Sequence, residues 1–284
     1  MVDEEELLSL LALRRAGISS HELFALFSPT FTELNLGLPS RKAAYQSEIT
    51  SYWDEARAEL EACQQAEIKV LPFISPSYPS SLADLHQARP LVLYLRGNVS
   101  LLDAPHHLAI VGTRYPTTQG YQDAYQIAKE EAQRGAVIIS GLAIGCDDAA
   151  HRGALDAGGR TIAVVATGLD QVYPTVHRPL QERLLAHGGL VISEYPLGTS
   201  LEPYRLIQRN RILAGLAKAL LVAECGRTSG TMHAVRFAER CHHPVYALAS
   251  HSFPSRAGNE LLLSSARAQL YPTLGLTTSV NLDC

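Results

Sequence analysis

The sequence predicts an α/β protein built on a doubly wound, mostly parallel sheet, preceded by a small all-helical domain. Three observations predict it. Short, continuously apolar, β-rich runs recur between residues 91 and 248, amphipathic segments of helical period separate them, and almost every run ends in glycine, a hydroxyl residue or arginine. Strands that are apolar throughout and alternate with helices belong to a parallel sheet covered on both faces. In such a sheet the ligand lies beyond the carboxyl ends of the strands.

The helical part comes first. Leu7, Leu8, Leu11 and Leu13 fall on helical spacing, Leu23, Phe24, Leu26 and Phe27 follow a Ser19-Ser20 N-cap, and a further helix surrounds Trp53, Ala56 and Leu60. Such a unit either packs or mediates contacts. Strands are then expected at Leu91–Leu95, Leu108–Val111, Val137–Ile139, Thr161–Val165, Leu190–Ile192, Leu220–Ala223 and Val245–Leu248. Helices are expected at Tyr121–Arg134, Cys146–Asp156, Pro179–His187, Arg209–Ala217 and Thr231–Arg240. This is an extended Rossmann-like arrangement, with residues 1–64 as the helical domain and 65–284 as the sheet domain.

Composition narrows the function. No apolar run approaches the ~20 residues of a membrane span, and the start, MVDEEELLSL, is acidic where a secretory signal is basic. A cytoplasmic protein with no membrane partner is expected. Cys63, Cys146, Cys225, Cys241 and Cys284 are scattered and never spaced C-x-x-C, which argues against a disulfide framework or zinc site. The net charge is −4, so any polyanion site must be a local basic patch.

The strand ends supply such a patch. Gly112-Thr113-Arg114, Ser140 to Gly145, Thr167-Gly168, Ser193-Glu194 and Glu224 to Thr231 would share one rim. Glycine after a strand is common in any α/β protein, but five such loops together suit an extended phosphate-bearing ligand. The stretch Ile139–His151 reads as strand, glycine turn and helix N-terminus, an anion cradle that matches neither the dinucleotide nor the nucleoside-triphosphate spacing. Arg205, Arg209, Asn210 and Arg211 crowd a helix start with no acid nearer in sequence than Glu202. Guanidinium forks pair well with phosphate, and Arg114 and Arg209 are expected to be exposed on this rim.

The chain resembles the DprA/Smf DNA-processing proteins. The resemblance is carried by YPSSLADLHQARPLVLYLRGN (78–98), IVGTRYPTTQG (110–120), ISGLAIGCDDAAHRGAL (139–155), TIAVVATGLDQVYP (161–174), VISEYPLGT (191–199), RNRILAGLAKALLVAE (209–224) and RTSGTMHAVRFA (227–238). It implies single-stranded DNA binding and loading of the recombinase RecA in DNA uptake, with no catalysis and no cofactor or metal; a homodimer is expected because a single pocket grips few nucleotides and coupling two raises the effective concentration. By position, it implies that Arg114 and Arg209 hold DNA phosphates, with Ser140, Gly141, Gly168, Ser229 and Gly230 framing the pocket. Gly112, Thr113, Gly145, Arg205, Asn210 and Arg211 are expected beside them, and the helical domain resembles a sterile-alpha-motif unit. This sequence departs from the pattern at Leu206-Ile207, where members have Phe-Pro, and at SGTMHA (229–234); the C-terminal winged helix of many members has no room before Cys284.

A second reading is a hydrolase of nucleotide N-glycosidic bonds, with Glu194 and Glu224 ending adjacent strands as paired carboxylates. Its usual Pro-Gly-Gly-x-Gly-Thr turn is absent from Cys225–Thr231. A pure protein-interaction module would leave the arginine-lined rim unexplained. Asp147, Asp148 and His151 read as helix capping and local hydrogen bonding rather than a metal site.

Overall fold

A computed structural model of the chain describes residues 3–27, 38–249 and 256–272, side chains of 38–50 excepted. Cys284 and the rest of 273–284 lie outside the described residues. Helix α1 (Glu4–Arg15) starts at Asp3, whose carboxylate accepts from the Glu5 amide. It carries glutamates in its first turn and arginines in its last, which complements the helix dipole. Helix α2 (Ser20–Phe27) opens on a reciprocal capping box, the Glu22 amide donating to Ser19 Oγ and the Ser19 amide to Glu22 Oε2. Helix α3 (Leu38–Gln65) leads into the sheet.

Among the described residues nine strands follow: β1 (Lys69–Pro72), β2 (Val92–Gly97), β3 (His107–Val111), β4 (Val137–Ser140), β5 (Thr161–Val164), β6 (Leu190–Ser193), β7 (Ala219–Val222), β8 (Val245–Ala247) and β9 (Gln269–Leu270). Between and beyond them run α4 (Thr118–Gln133), α5 (Cys146–Asp156), α6 (Arg178–Ala186), α7 (Pro203–Leu216), α8 (Thr231–Arg240) and α9 (Ala257–Ser264). The spatial order is β1-β2-β6-β5-β4-β3-β7-β8-β9. Strands β3 to β9 are mutually parallel, while β2 runs antiparallel to both β1 and β6.

The seven expected strands and five expected helices are all present. Strands β1 and β9 were not legible, being short and unlike the others in pattern. Every residue of β3 to β8 is buried, and alternation sorts their side chains between two layers. Leu108, Ile110 and Ile138 pack with α4 and α5 through Ile127, Ala149 and Ala150. Ala109, Val111 and Ile139 face α7 and α8 through Ile212, Leu213 and Val235. The helical unit joins the sheet through a shared core in which Leu11, Leu23 and Phe24 meet Phe73, Val92 and Tyr94.

The strand order places the functional rim. From β3 the chain winds outward through β4, β5 and β6, then returns to lay β7 against the other side of β3. The carboxyl ends of β3 and β7 therefore flank the topological switch point, where open α/β sheets form their ligand crevice.

Candidate nucleic-acid interface

A cleft of about 400 Å³ opens at that point. One wall is the loop after β3, Gly112-Thr113-Arg114-Tyr115; another is α7, through Leu206, Ile207, Arg209 and Asn210; the third is Ser229-Gly230-Thr231 at the start of α8. The β3 loop is held down tightly. Thr113 N donates to Glu224 O at 2.7 Å and Cys146 N donates to Thr113 O at 3.2 Å. A Cβ on Gly112 would overlap the Cys146 thiol, and one on Gly145, at φ +87°, would press on the Thr113 and Arg114 carbonyls. Only glycine lets the α5 start approach the loop so closely.

Arg209 forms the floor. It is buried, its Nη1 donates to the Val164 carbonyl at 2.7 Å, and its guanidinium occupies the space a Cβ on Gly141 would need. Its Nε has no hydrogen-bond partner among the described residues. Burial draws the Arg209 guanidinium below its ordinary value, with the Asp147 carboxylate opposing that and Arg114 adding to it. Burial likewise pushes the Asp147 carboxyl above the usual carboxylate range against the pull of Arg209. Desolvation thus opposes the charged form of both groups. Arg114 is exposed at the mouth, with no ion pair among the described residues. At the start of α8 the Thr231 amide donates to Ser229 Oγ at 3.2 Å and the Met232 amide to Ser229 O at 3.0 Å, which fixes the Ser229-Gly230 wall of the cleft.

Gly112, Thr113, Arg114, Arg209, Asn210, Ser229 and Gly230 are thus brought together as expected, with Gly141 and Gly145 shaping the floor and the loop. Others are not. Ser140 is fully buried, its hydroxyl donating to Ile110 O at 2.7 Å. Gly168 packs against Asp170 and Pro196 and does not line the cleft. Arg205 turns the other way, its guanidinium over the Tyr195 ring at 5.1 Å and donating to Ser200 O. Arg211 is spent on Glu194 through both carboxylate oxygens, at 2.7 and 2.5 Å. Its acidic partner lies seventeen residues away in sequence, so the apparent absence of a counter-ion was a property of sequence distance alone.

The expected cradle at the start of α5 is closed from within. Asp147 Oδ2 accepts from the turn amide of Ala143 at 3.3 Å, and amides of the first α5 turn are taken by backbone, Cys146 N donating to Thr113 O and Asp148 N to Ala143 O. Neither aspartate caps α5 in the ordinary way, because the N-cap is Gly145. Asp148 instead accepts from Tyr121 at 2.5 Å and Arg152 at 2.8 Å. His151 hydrogen-bonds Thr161 on β5 at 2.8 Å, and burial lowers its pKa to about 3. Glu194 and Glu224 do not end adjacent strands. β5, β4 and β3 intervene between β6 and β7, four spacings that put roughly 19 Å between the strands. Glu224 is fully buried, accepting from the Thr117 amide and hydroxyl at 2.9 and 2.7 Å. Among the described residues no group of three or more His, Cys, Asp or Glu is placed to hold a metal ion.

One cleft residue escaped the sequence reading. Tyr115 is 81% exposed on the cleft wall. The available signal was an aromatic between an arginine and a proline, outside any periodic run that would bury it.

Fold and site together define a doubly wound α/β protein with an arginine-lined cleft at its switch point. The family model for DNA recombination-mediator protein A matches residues 69–277, and the chain belongs to that family. It is 32% identical over 223 residues to the DNA processing protein DprA of Bacillus subtilis, covering 78% of this chain and 74% of that one. Against protein Smf of Synechocystis it is 38% identical over 192 residues, covering 66% of this chain and 48% of the relative. Against the Streptococcus pneumoniae DprA it is 40% identical over 155 residues, 55% of this chain and 54% of the relative. The matched region therefore spans about half the length of the last two. The solved S. pneumoniae DprA superposes with a TM-score of 0.78 at 29% identity, covering 95% of each chain. A Helicobacter pylori DNA processing protein A, described for its single-stranded DNA binding mode, gives 0.65 at 31% identity over 71% of this chain and 89% of that one. Among the described residues no helix is long and apolar enough to cross a membrane.

Proposed function

We propose that this chain binds single-stranded DNA in the switch-point cleft and acts as a recombination mediator, protecting incoming strands and handing them to RecA in the cytoplasm. One observation carries the reading: an exposed arginine without an ion pair, Arg114, stands over a buried one, Arg209, whose Nε has no partner among the described residues, at the crevice of the sheet. Phosphate oxygens satisfy both, and a phosphodiester backbone presents them in series. Tyr115, Leu206 and Ile207 add apolar surface for bases, which stack without sequence preference. The structural likeness to the H. pylori protein supports the same ligand class.

The family description supports the mediator role, and a homodimer fits the outer edge of the sheet. There Leu270 on β9 and Leu261 on α9 are exposed, and a strand edge with apolar flanks favours pairing. Joining two clefts raises the effective concentration for one strand. A hydrolase has little support, because Glu194 is ion-paired and Glu224 is enclosed far from it. The test is a gel-shift comparison of single- and double-stranded oligonucleotides beside a nucleotide-hydrolysis screen. Preference for the single strand with no release of base or ribose phosphate is expected. Turnover lost in Glu224→Gln would replace this reading with the hydrolase.

A further inference from the structure

A second cationic cleft, of about 350 Å³, lies where the helical unit meets the sheet. Arg14, Arg15, Arg89 and Arg211 line it, against two carboxylates, Glu59 and Glu194. Three of these arginines are committed: Arg14 and Arg15 pair with Glu59 at 2.8 and 2.6 Å, and Arg211 with Glu194 at 2.5 Å. Arg89 is different. Its guanidinium lies over the rings of Phe24 and Phe73, at 4.9 and 5.0 Å, and it has no ion pair among the described residues. Its Nε is buried and without a hydrogen-bond partner there. Two aromatic faces thus hold a charged fork in place in a cleft with excess positive charge, while leaving its hydrogen-bonding capacity unused.

The two clefts share α7. Successive helical residues turn by 100°, so Arg209 and Arg211 point to nearly opposite sides, and each serves a different cleft. The first turn of α7 bridges them along the rim. Pro203 lines the switch-point cleft, Tyr204 is 55% exposed, and Arg205 stacks on Tyr195, which lines the junction cleft. The surface between the clefts is therefore aromatic and cationic, the combination on which single strands lie.

Resting on the reading of the switch-point cleft as a DNA site, we propose that the junction cleft binds a further phosphate of the same single strand. Arg89 receives that phosphate, and Tyr204 carries a base between the two clefts. The helical unit then becomes part of the DNA footprint, because α1 and α2 build one side of the second cleft.

The test is affinity against length, with labelled oligothymidylates from about 4 to about 16 nucleotides, the range that single grooves accommodate. The full chain is compared with its Arg114→Ala, Arg89→Ala and Tyr204→Ala variants. Arg114→Ala should weaken binding at every length. Arg89→Ala should leave the shortest oligonucleotide unaffected and weaken the longest about tenfold, the worth of one charge-assisted contact. Its log–log salt slope should fall by about 0.7 for the longest strand only. Tyr204→Ala, at an exposed site with no part in the core, should show the same length dependence, which keeps the test valid if Arg89→Ala folds poorly. If Arg114→Ala weakens binding while Arg89→Ala and Tyr204→Ala match the wild type at all lengths, the second site is refuted and the first stands. If Arg114→Ala also matches the wild type, the switch-point reading fails and this inference with it.

Discussion

Arg114 and Arg209 meet at one cleft but carry different loads. Arg114 is exposed and unpaired, so Arg114→Ala should flatten the salt dependence of single-strand binding by about 0.7 in log–log slope and leave the melting temperature unchanged. Arg209 is not the exposed rim residue that the sequence suggested, because it supports Val164 O and faces Asp147. Arg209→Ala should therefore weaken binding and also cost about 1–3 kcal/mol of stability, by leaving a buried carbonyl unsatisfied. Salt titrations and thermal melts of both variants, with the exposed Arg57→Ala on α3 as control, separate the two effects. Equal melting temperatures for the two cleft variants would refute the structural share assigned to Arg209. Tyr115 supplies the aromatic face that Leu206 lacks. Tyr115→Ala should lose ~1–3 kcal/mol of binding per stacked base, seen as lower affinity at constant salt slope, whereas Leu206→Phe should tighten binding by adding a second platform.

At the scale of elements, the cleft depends on helices approaching strand ends more closely than side chains permit. Gly141, just after β4, gives its Cβ space to the Arg209 guanidinium from α7. Gly141→Ala should displace that guanidinium and weaken DNA binding as far as Arg209→Ala does, although no DNA contact is assigned to Gly141 itself. Gly226→Ala is the matched control, since a Cβ there meets open space. Binding by Gly141→Ala equal to that control would show that Arg209 does not need its present position. The α5 and α8 starts are fixed to the rim by their own first amides, Cys146 N donating to Thr113 O at 3.2 Å and Thr231 N to Ser229 Oγ at 3.2 Å.

Across the whole molecule, the helical unit is welded to the sheet by a buried polar network. Tyr94 on β2 donates to Glu59, Arg14 donates to both, and Arg15 holds the second Glu59 oxygen at 2.6 Å. The shared apolar core reinforces it. Trp53, the single tryptophan, packs partly buried against that core, so its fluorescence reports the helical unit while far-UV circular dichroism reports the whole chain. The two denaturation curves should coincide in the wild type. Glu59→Gln should cost about 2–3 kcal/mol, less than the ~3–5 of a fully enclosed pair, because Arg14 and Arg15 remain 21% and 30% exposed. A tryptophan transition at lower denaturant than the dichroism curve, already in the wild type, would show that the helical unit unfolds independently.

The sequence by itself determined the strands from Val92 to Ala247, the helices between them and the parallel sheet, because apolar periodicity and glycine punctuation are local and act wherever the chain goes. It also determined the loop Gly112-Thr113-Arg114 and the Arg209-Asn210 helix as parts of one rim, since every parallel strand delivers its following loop to the same side. Tertiary structure alone decided how those candidates divide. Strand order put β3 beside β7 and drove Glu194 and Glu224 apart; helix rotation turned Arg209 inward and gave Arg211 to Glu194; packing buried Ser140 and left Tyr115 in solvent. None of these follows from spacing along the chain, because a charge takes its partner, and a side chain its exposure, from whatever the fold brings within a few ångströms.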